Sequence, residues 1–340
     1  MPSMNKLGLA LLCASLAFAQ APVAVAPAGA ITGVSNFVHI VKDLDVSLEY
    51  YRDALGMEVG VNQPYSVNPA IEKLGNTPGA QSRYVTLKAP GGSDIGVELI
   101  EYKNIDRKPQ SPRFQDPGAA NYILRVRDAN KVFQAVQAFQ AKHKLGRVIS
   151  VAGKPIDVAG SPHVFLQDPD GFVIEVAQGA PTPGSNVPET ANVLGGGFEL
   201  AIRDTDESVK FYSLLGMTMT PAAAFNDNAM MADTAGVPGA KFRQSRSPIP
   251  GTRSTLTLIE FQGKDKALDR KALTGRVQDP GTAILQLRVA DVAALTKKLK
   301  DAGVPVITTG GAPVEVAKGL NIAIVRDPNN LYLELIETRR

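Results

Sequence analysis

Three kinds of side chain decide what chemistry this sequence can host: its three histidines, its single cysteine, and the acids set in apolar runs. His39 lies in "NFVHIV", Glu98 in "DIGVELIEY" and Glu175 in "GFVIEV". A histidine in such a run is a metal ligand, a proton carrier or an ordinary hydrogen-bonded polar group. A buried carboxylate is an oxygen ligand or a general acid or base. Cys13 falls inside the apolar leader described below, so thiolate chemistry is not expected of the mature chain. No Ser/His/Asp or Cys/His nucleophile arrangement can be assembled. "GGG" at 195–197 precedes a strand instead of opening a helix and is no phosphate loop, and the "QDPG" and "DPDG" tetrapeptides read as turns.

The elements that must position these residues come from a chain of 340 residues, 44% hydrophobic, enough for two ordinary globular domains. Net charge is only +3, with acids and bases interspersed and no basic block carrying aromatics, which excludes nucleic acid as a partner. Lys6, the apolar "LGLALLCASLAFA" and the small-x-small "AFA" before Gln20 form a signal peptide over 1–19, followed by a flexible Ala/Pro lead-in over 20–30. That predicts export to the periplasm or outside the cell, with no integral membrane span after cleavage, because the run is short for a bilayer.

The sequence then repeats itself. "DLDVSLEYYRDALGM" from Asp43 matches "DTDESVKFYSLLGM" from Asp204, and "RFQDPGAANYILRV" from Arg113 matches "RVQDPGTAILQLRV" from Arg276. "DPDGFVIEV" from Asp168 matches "DPNNLYLEL" from Asp327. Two homologous halves follow, 31–178 and 194–338, joined by a Pro/Gly/Ser-rich linker over 179–193. Each half divides again. "NFVHIV" leads into an amphipathic helix closed by Gly56, then into the alternating runs "SRYVTLKA" and "DIGVELIEY". "NYILRV" leads into "DANKVFQAVQAFQAKHK" and the hairpin "HVFLQDPDGFVIEVA". The expected fold is α+β, four βαβββ units.

Those openings and closings resemble the vicinal oxygen chelate superfamily, which includes glyoxalases, bleomycin resistance proteins and extradiol dioxygenases. The resemblance implies two tandem cup-shaped domains with metal ligands on strands that face into a cup. Strand alternation assigns the faces. It puts Glu175, Glu98, Asn121 and Arg125 toward a cup, with Phe37 and His39 on the cup side of the first strand.

By resemblance, the ligand-bearing positions correspond to His39, Glu98, Asn121 and Glu175. An imidazole and two carboxylates (His39, Glu98, Glu175) would hold one divalent ion of Mn, Ni, Zn or Fe(II), leaving Asn121, Arg125 and Phe37 to contact substrate. The matching positions of the second half are Leu200, Thr257, Ile284 and Glu334, so only the first half is expected to carry a site. His163 starts a hairpin strand that can fall on either face, and His143 lies in a Lys-rich helix end.

The function implied is a metal-dependent lyase or isomerase acting on a small vicinal-oxygen or hydroxycarbonyl compound, with Glu175 or Glu98 shuttling a proton. A dioxygenase is disfavoured because one histidine, not two, is available. The alternative is a metal-free small-molecule binding protein of the bleomycin-resistance type. Partners are limited to a small molecule, and the chain is expected to be a monomer or a homodimer. The inserts 61–81 and 221–241 are expected to cover the cup mouths.

Overall fold

The computed structural model describes residues 30–92, 95–158, 160–263 and 270–339. The predicted leader and Cys13 lie outside the described residues. Strand β1 (Ile31–Ile40) opens the first unit, followed by α1 (Leu44–Glu49), a π-helical turn (Tyr50–Ala54), β2 (Glu58–Ser66), α2 (Pro69–Gly75), β3 (Gln81–Lys88) and β4 (Gly96–Lys103). The second unit holds β5 (Ala120–Val126), α3 (Ala129–His143), β6 (Arg147–Val148), β7 (Ile156–Val158), β8 (Ser161–Gln167) and β9 (Val173–Gln178). The third holds β10 (Val193–Ile202), α4 (Thr205–Leu214), α5 (Ala229–Thr234), β11 (Lys241–Pro248) and β12 (Thr255–Gln262). The fourth holds β13 (Ala283–Val289), α6 (Val292–Asp301), β14 (Val314–Ala317), β15 (Leu320–Arg326) and β16 (Tyr332–Thr338).

One local rule builds all four units. The first strand ends two or three residues before an aspartate, Asp43, Asp128, Asp204 or Asp291, whose carboxylate accepts helix N-terminal N–H groups. A second acceptor comes from the far end of the unit's last strand. Glu101 accepts the Leu44 N–H at 2.9 Å, Gln178 the Ala129 N–H at 3.0 Å, Glu260 the Thr205 N–H at 3.0 Å and Glu337 the Val292 N–H at 2.9 Å. Each helix is thereby tied to the strand that carries the unit's cup-facing acid or its counterpart.

The strands form two curled sheets. The first runs β14-β15-β16-β13-β1-β4-β3-β2, and the second runs β11-β12-β10-β5-β9-β8-β6 with β7 paired to β8. The seams are antiparallel pairings of first strands, Val38 opposite Ile284 and Glu199 opposite Asn121. The first cup therefore joins units one and four, and the second joins units two and three. Neither half of the sequence closes a cup alone. Because the repeats resemble one another, the sequence marks the units but not which first strands meet.

Between the sheets lies the principal core, where Phe37, Leu99, Tyr122, Leu124, Ile174, Phe198 and Leu285 pack with the helices. Gly196 is needed there, because a Cβ would lie 2.0 Å from the Tyr122 hydroxyl. Separate apolar clusters line the cups. Val38, Ile40, Tyr102, Ile284 and Tyr332 meet Leu74 of α2 in the first, and Phe114, Phe165, Phe242 and Phe261 meet Met231 of α5 and Ala235 at its C-cap in the second. Both inserts thus put a short helix against a cup. Among the described residues no helix is long and apolar enough to cross a membrane.

Candidate functional site

Each cup presents a pair of carboxylates, and each pair draws one member from each half of the sequence. In the second cup β9 supplies Glu175 and β10 supplies Glu199, 7% and 8% exposed. His163 on β8 places Nδ1 2.8 Å from Glu175 Oε1. Asn121 on β5 accepts the Glu175 backbone N–H at 3.0 Å through Oδ1, and its Nδ2 lies 3.5 Å from Glu199 Oε2. Gln244 Nε2 donates to Glu199 Oε1 at 3.1 Å. Burial pushes the Glu199 carboxyl up to about 7, and the Glu175 charge adds to it against the opposing pull of Arg246 and Asn121.

Glu175, Glu199 and Gln244 meet in a cavity of about 30 Å³ whose remaining walls are apolar. That volume holds about one or two waters. The charged side chains lining it are Glu175 and Glu199 alone. Helix α5 roofs the cavity and is latched to the second unit: Ser150 Oγ donates to the Thr234 carbonyl at 2.6 Å and accepts the Phe165 N–H at 2.9 Å.

The first cup is built from β4, β13, β16 and β1. Gln286 Nε2 donates to Glu98 Oε2 at 3.0 Å and to Glu334 Oε2 at 3.1 Å. Asn36 Nδ2 lies 3.3 Å from Glu98 Oε2 and 3.1 Å from Gln286 Oε1. Burial, then the Glu98 charge, push Glu334 up to about 7, and burial raises Glu98. The second half therefore supplies more than Glu334, the one acid expected of it: Glu199 goes to one cup, and Gln286 and Glu334 to the other.

The set His39, Glu98 and Glu175 does not come together. Glu98 and Glu175 lie in different sheets. His39 faces the core between the sheets, wholly buried, with its ring stacked on Phe172 at 3.6 Å. Its Nδ1 is 2.6 Å from the Tyr51 hydroxyl, which donates to Asp168 Oδ2 at 2.9 Å. Nε2 has no hydrogen-bond partner among the described residues, and burial holds the imidazole below its usual pKa. Val38, the parallel neighbour of Glu98, takes the cup side instead. The misassignment has a physical origin: Phe37 to Val41 is apolar on both faces apart from the histidine, so alternation carries no signal there, and the ladder to β13 shifts register between Val34 and Phe37.

Phe37 shares that face and stacks on Phe198, so it is a core residue and not a substrate contact. Arg125 lies outside the cup, its guanidinium bound to Thr182 Oγ1 and the Ala180 carbonyl of the linker. Asn121 and Glu175 do meet as expected. His163 falls on the cup face, and His143 pairs with Glu49 at 3.0 Å against the Phe139 ring. Sequence reasoning missed Glu199, Gln244 and Gln286. The signal for Glu199 was present, because aligning "FVHIV" with "FELAI" sets Val38 against Glu199.

The donor types in the second cup, one imidazole and two carboxylates, suit a divalent cation. Their placement does not: among the described residues no group of three or more His, Cys, Asp or Glu side chains lies close enough to hold a metal ion.

The repeat and the fold agree with comparison to known proteins. A profile of the Glyoxalase/Bleomycin resistance protein/Dioxygenase superfamily matches residues 33–176 and 196–335, and the chain belongs to that superfamily. It is 27% identical over 145 residues to a 2-epi-5-epi-valiolone epimerase of an Actinomyces species, spanning 42% of this chain and 77% of that protein. It is also 27% identical over 188 residues to a lactoylglutathione lyase of Arabidopsis thaliana, spanning 54% of this chain and 56% of the relative's length. The fold matches the crystal structure of glyoxalase I from Zea mays with a TM-score of 0.54 at 18% identity, covering 90% of this chain and 92% of that one.

Proposed function

We propose that this protein is an exported lyase or isomerase that moves a proton on a small hydroxycarbonyl compound in its second cup. The observation that carries the reading is the meeting of Glu175 and Glu199 in one apolar cavity, with Glu199 pushed up to about 7. A pair of this kind supplies a base and an acid together at neutral pH. Glu175, held by His163, takes the proton from the carbon beside the carbonyl. Protonated Glu199 gives its proton to the carbonyl oxygen, so an enediol forms with no net charge change. Return of the two protons in the other sense gives the isomer or epimer. The relatives named as an epimerase and a lyase support this class of reaction.

The lining also bears on substrate. With two carboxylates and no Lys or Arg among its lining residues, the cavity favours a neutral compound and disfavours an anionic one such as a glutathione conjugate. At about 30 Å³ the cavity must widen to admit a substrate larger than one or two waters. A divalent cation, expected from the family resemblance, would need the His163, Glu175 and Glu199 side chains to move together.

The small cavity with mostly apolar walls favours a second reading, metal-free capture of a small molecule. The two are separated by incubating the protein in D₂O with a panel of neutral α-hydroxycarbonyl compounds, with and without Mn, Ni, Zn or Fe(II). Deuterium entering beside the carbonyl supports proton transfer. Ligand-induced thermal stabilisation without exchange on any compound would replace that reading with binding.

A further inference from the structure

Outside both cups, the turn between β8 and β9 carries two acids that the proposed reaction does not use, Asp168 buried and Asp170 half-buried. Asp170 Oδ1 accepts the Lys42 backbone N–H at 2.8 Å and Oδ2 accepts the Ser47 hydroxyl at 3.0 Å, clipping the second sheet to the β1–α1 connection of the first. Asp168 Oδ1 accepts the backbone N–H groups of Asp170 and Phe172, both at 2.9 Å.

The other half of the chain holds the same clip with a neutral residue. Asn329 Oδ1 accepts the Arg203 N–H at 2.8 Å, as Asp170 does for Lys42. Its Nδ2 donates to Ser208 Oγ and to Asp327 Oδ2, each at 3.1 Å. The amide proton given to Asp327 has no equivalent in an ionised Asp170, which instead sets one carboxylate beside another. Protonated, Asp170 regains a donor and matches Asn329.

We propose that Asp170 makes the clip between the two sheets pH-sensitive: it is tightest when Asp170 is protonated and weakens when Asp170 ionises, while the Asn329 clip does not respond. Burial, then the charge of Asp168, raise the Asp170 carboxyl from 3.8 to about 7, with Asp43 adding and the Lys42 and Ser47 bonds opposing. The other groups facing the turn leave this sign unchanged. Lys42 and Arg147 line the adjacent groove, Arg107 binds the Val41 carbonyl, and Tyr51 and His39 stand behind Asp168. A carboxyl raised on folding contributes stability that is present below about 3.8 and lost as pH rises through about 7.

The test is thermal unfolding from pH 4 to 9 of the full chain, Asp170→Asn and Asn329→Asp. Asp170→Asn is expected to melt with the parent near pH 4 and on the order of 2–4 °C higher above pH 7. Asn329→Asp is expected to acquire the opposite pH-dependent difference, melting lower than the parent only above neutrality. A Tm difference for Asp170→Asn that stays constant across the range would overturn the proposal, as would an Asn329→Asp protein that tracks the parent at every pH.

Discussion

The Nδ1 atom of His163 lies 2.8 Å from the carboxylate of Glu175, on adjacent antiparallel strands of the second cup. The contact fixes one oxygen of Glu175 and leaves the carboxylate in the cavity that also holds Glu199. Glu175→Gln and Glu199→Gln are each expected to lower proton-transfer activity by about 10²–10⁴-fold, the usual contribution of a positioned acid or base. Glu98→Gln, in the other cup, is expected to retain activity, and the exchange assay applied to all three variants checks this directly.

Activity is expected to depend on protonated Glu199 and to fall as pH rises through about 7. Stability carries the same sign. Glu199 and Glu334 are both raised from 4.5 to about 7 on folding, so their contribution is complete below about 4.5 and lost as pH rises through 7. Thermal melts of Glu199→Gln and Glu334→Gln against the parent are expected to show differences that grow between pH 5 and 8.

His39 and Leu200 occupy matching core positions, one with an unpartnered Nε2 and one without. His39→Leu copies the second half, where Tyr212 donates to Asp327 with no histidine present, at 3.2 Å. It is expected to be neutral or stabilising and to leave proton transfer intact. Leu200→Ala opens a cavity and is expected to cost about 2–5 kcal/mol in denaturant unfolding.

Glu101 accepts the first N–H of α1 and pairs with Arg83 at 2.7 Å. Glu101→Ala removes one of the two acceptors at that helix start, with an expected loss of about 0.5–2 kcal/mol measured by urea unfolding. Its effect on exchange activity is expected to be small, because the helix lies behind the first cup.

How much of this was legible in the sequence varies residue by residue. Glu98, Asn121 and Glu175 sit in alternating strands, so period-two reading put them on the correct face. His39 and Phe37 sit in a strand apolar on both sides, where the same rule has nothing to act on. The pairing of β1 with β13, and of β5 with β10, is a contact between distant and mutually similar repeats. Local pattern cannot choose among such repeats, so the two carboxylates of a ligand set assembled within one half fell in different cups. Glu199 was hidden by comparing His39 with Leu200, when the matching positions that face a cup are Val38 and Glu199.

The most direct test of the account needs no substrate. The Glu199 side-chain carboxyl, labelled with ¹³C, is titrated by NMR in the parent and in Glu175→Gln. A Glu199 midpoint of about 7 in the parent, falling when Glu175 is neutralised, is expected because the two acids from opposite halves share one cavity. A Glu199 midpoint in the ordinary carboxylate range, unmoved by Glu175→Gln, would contradict it.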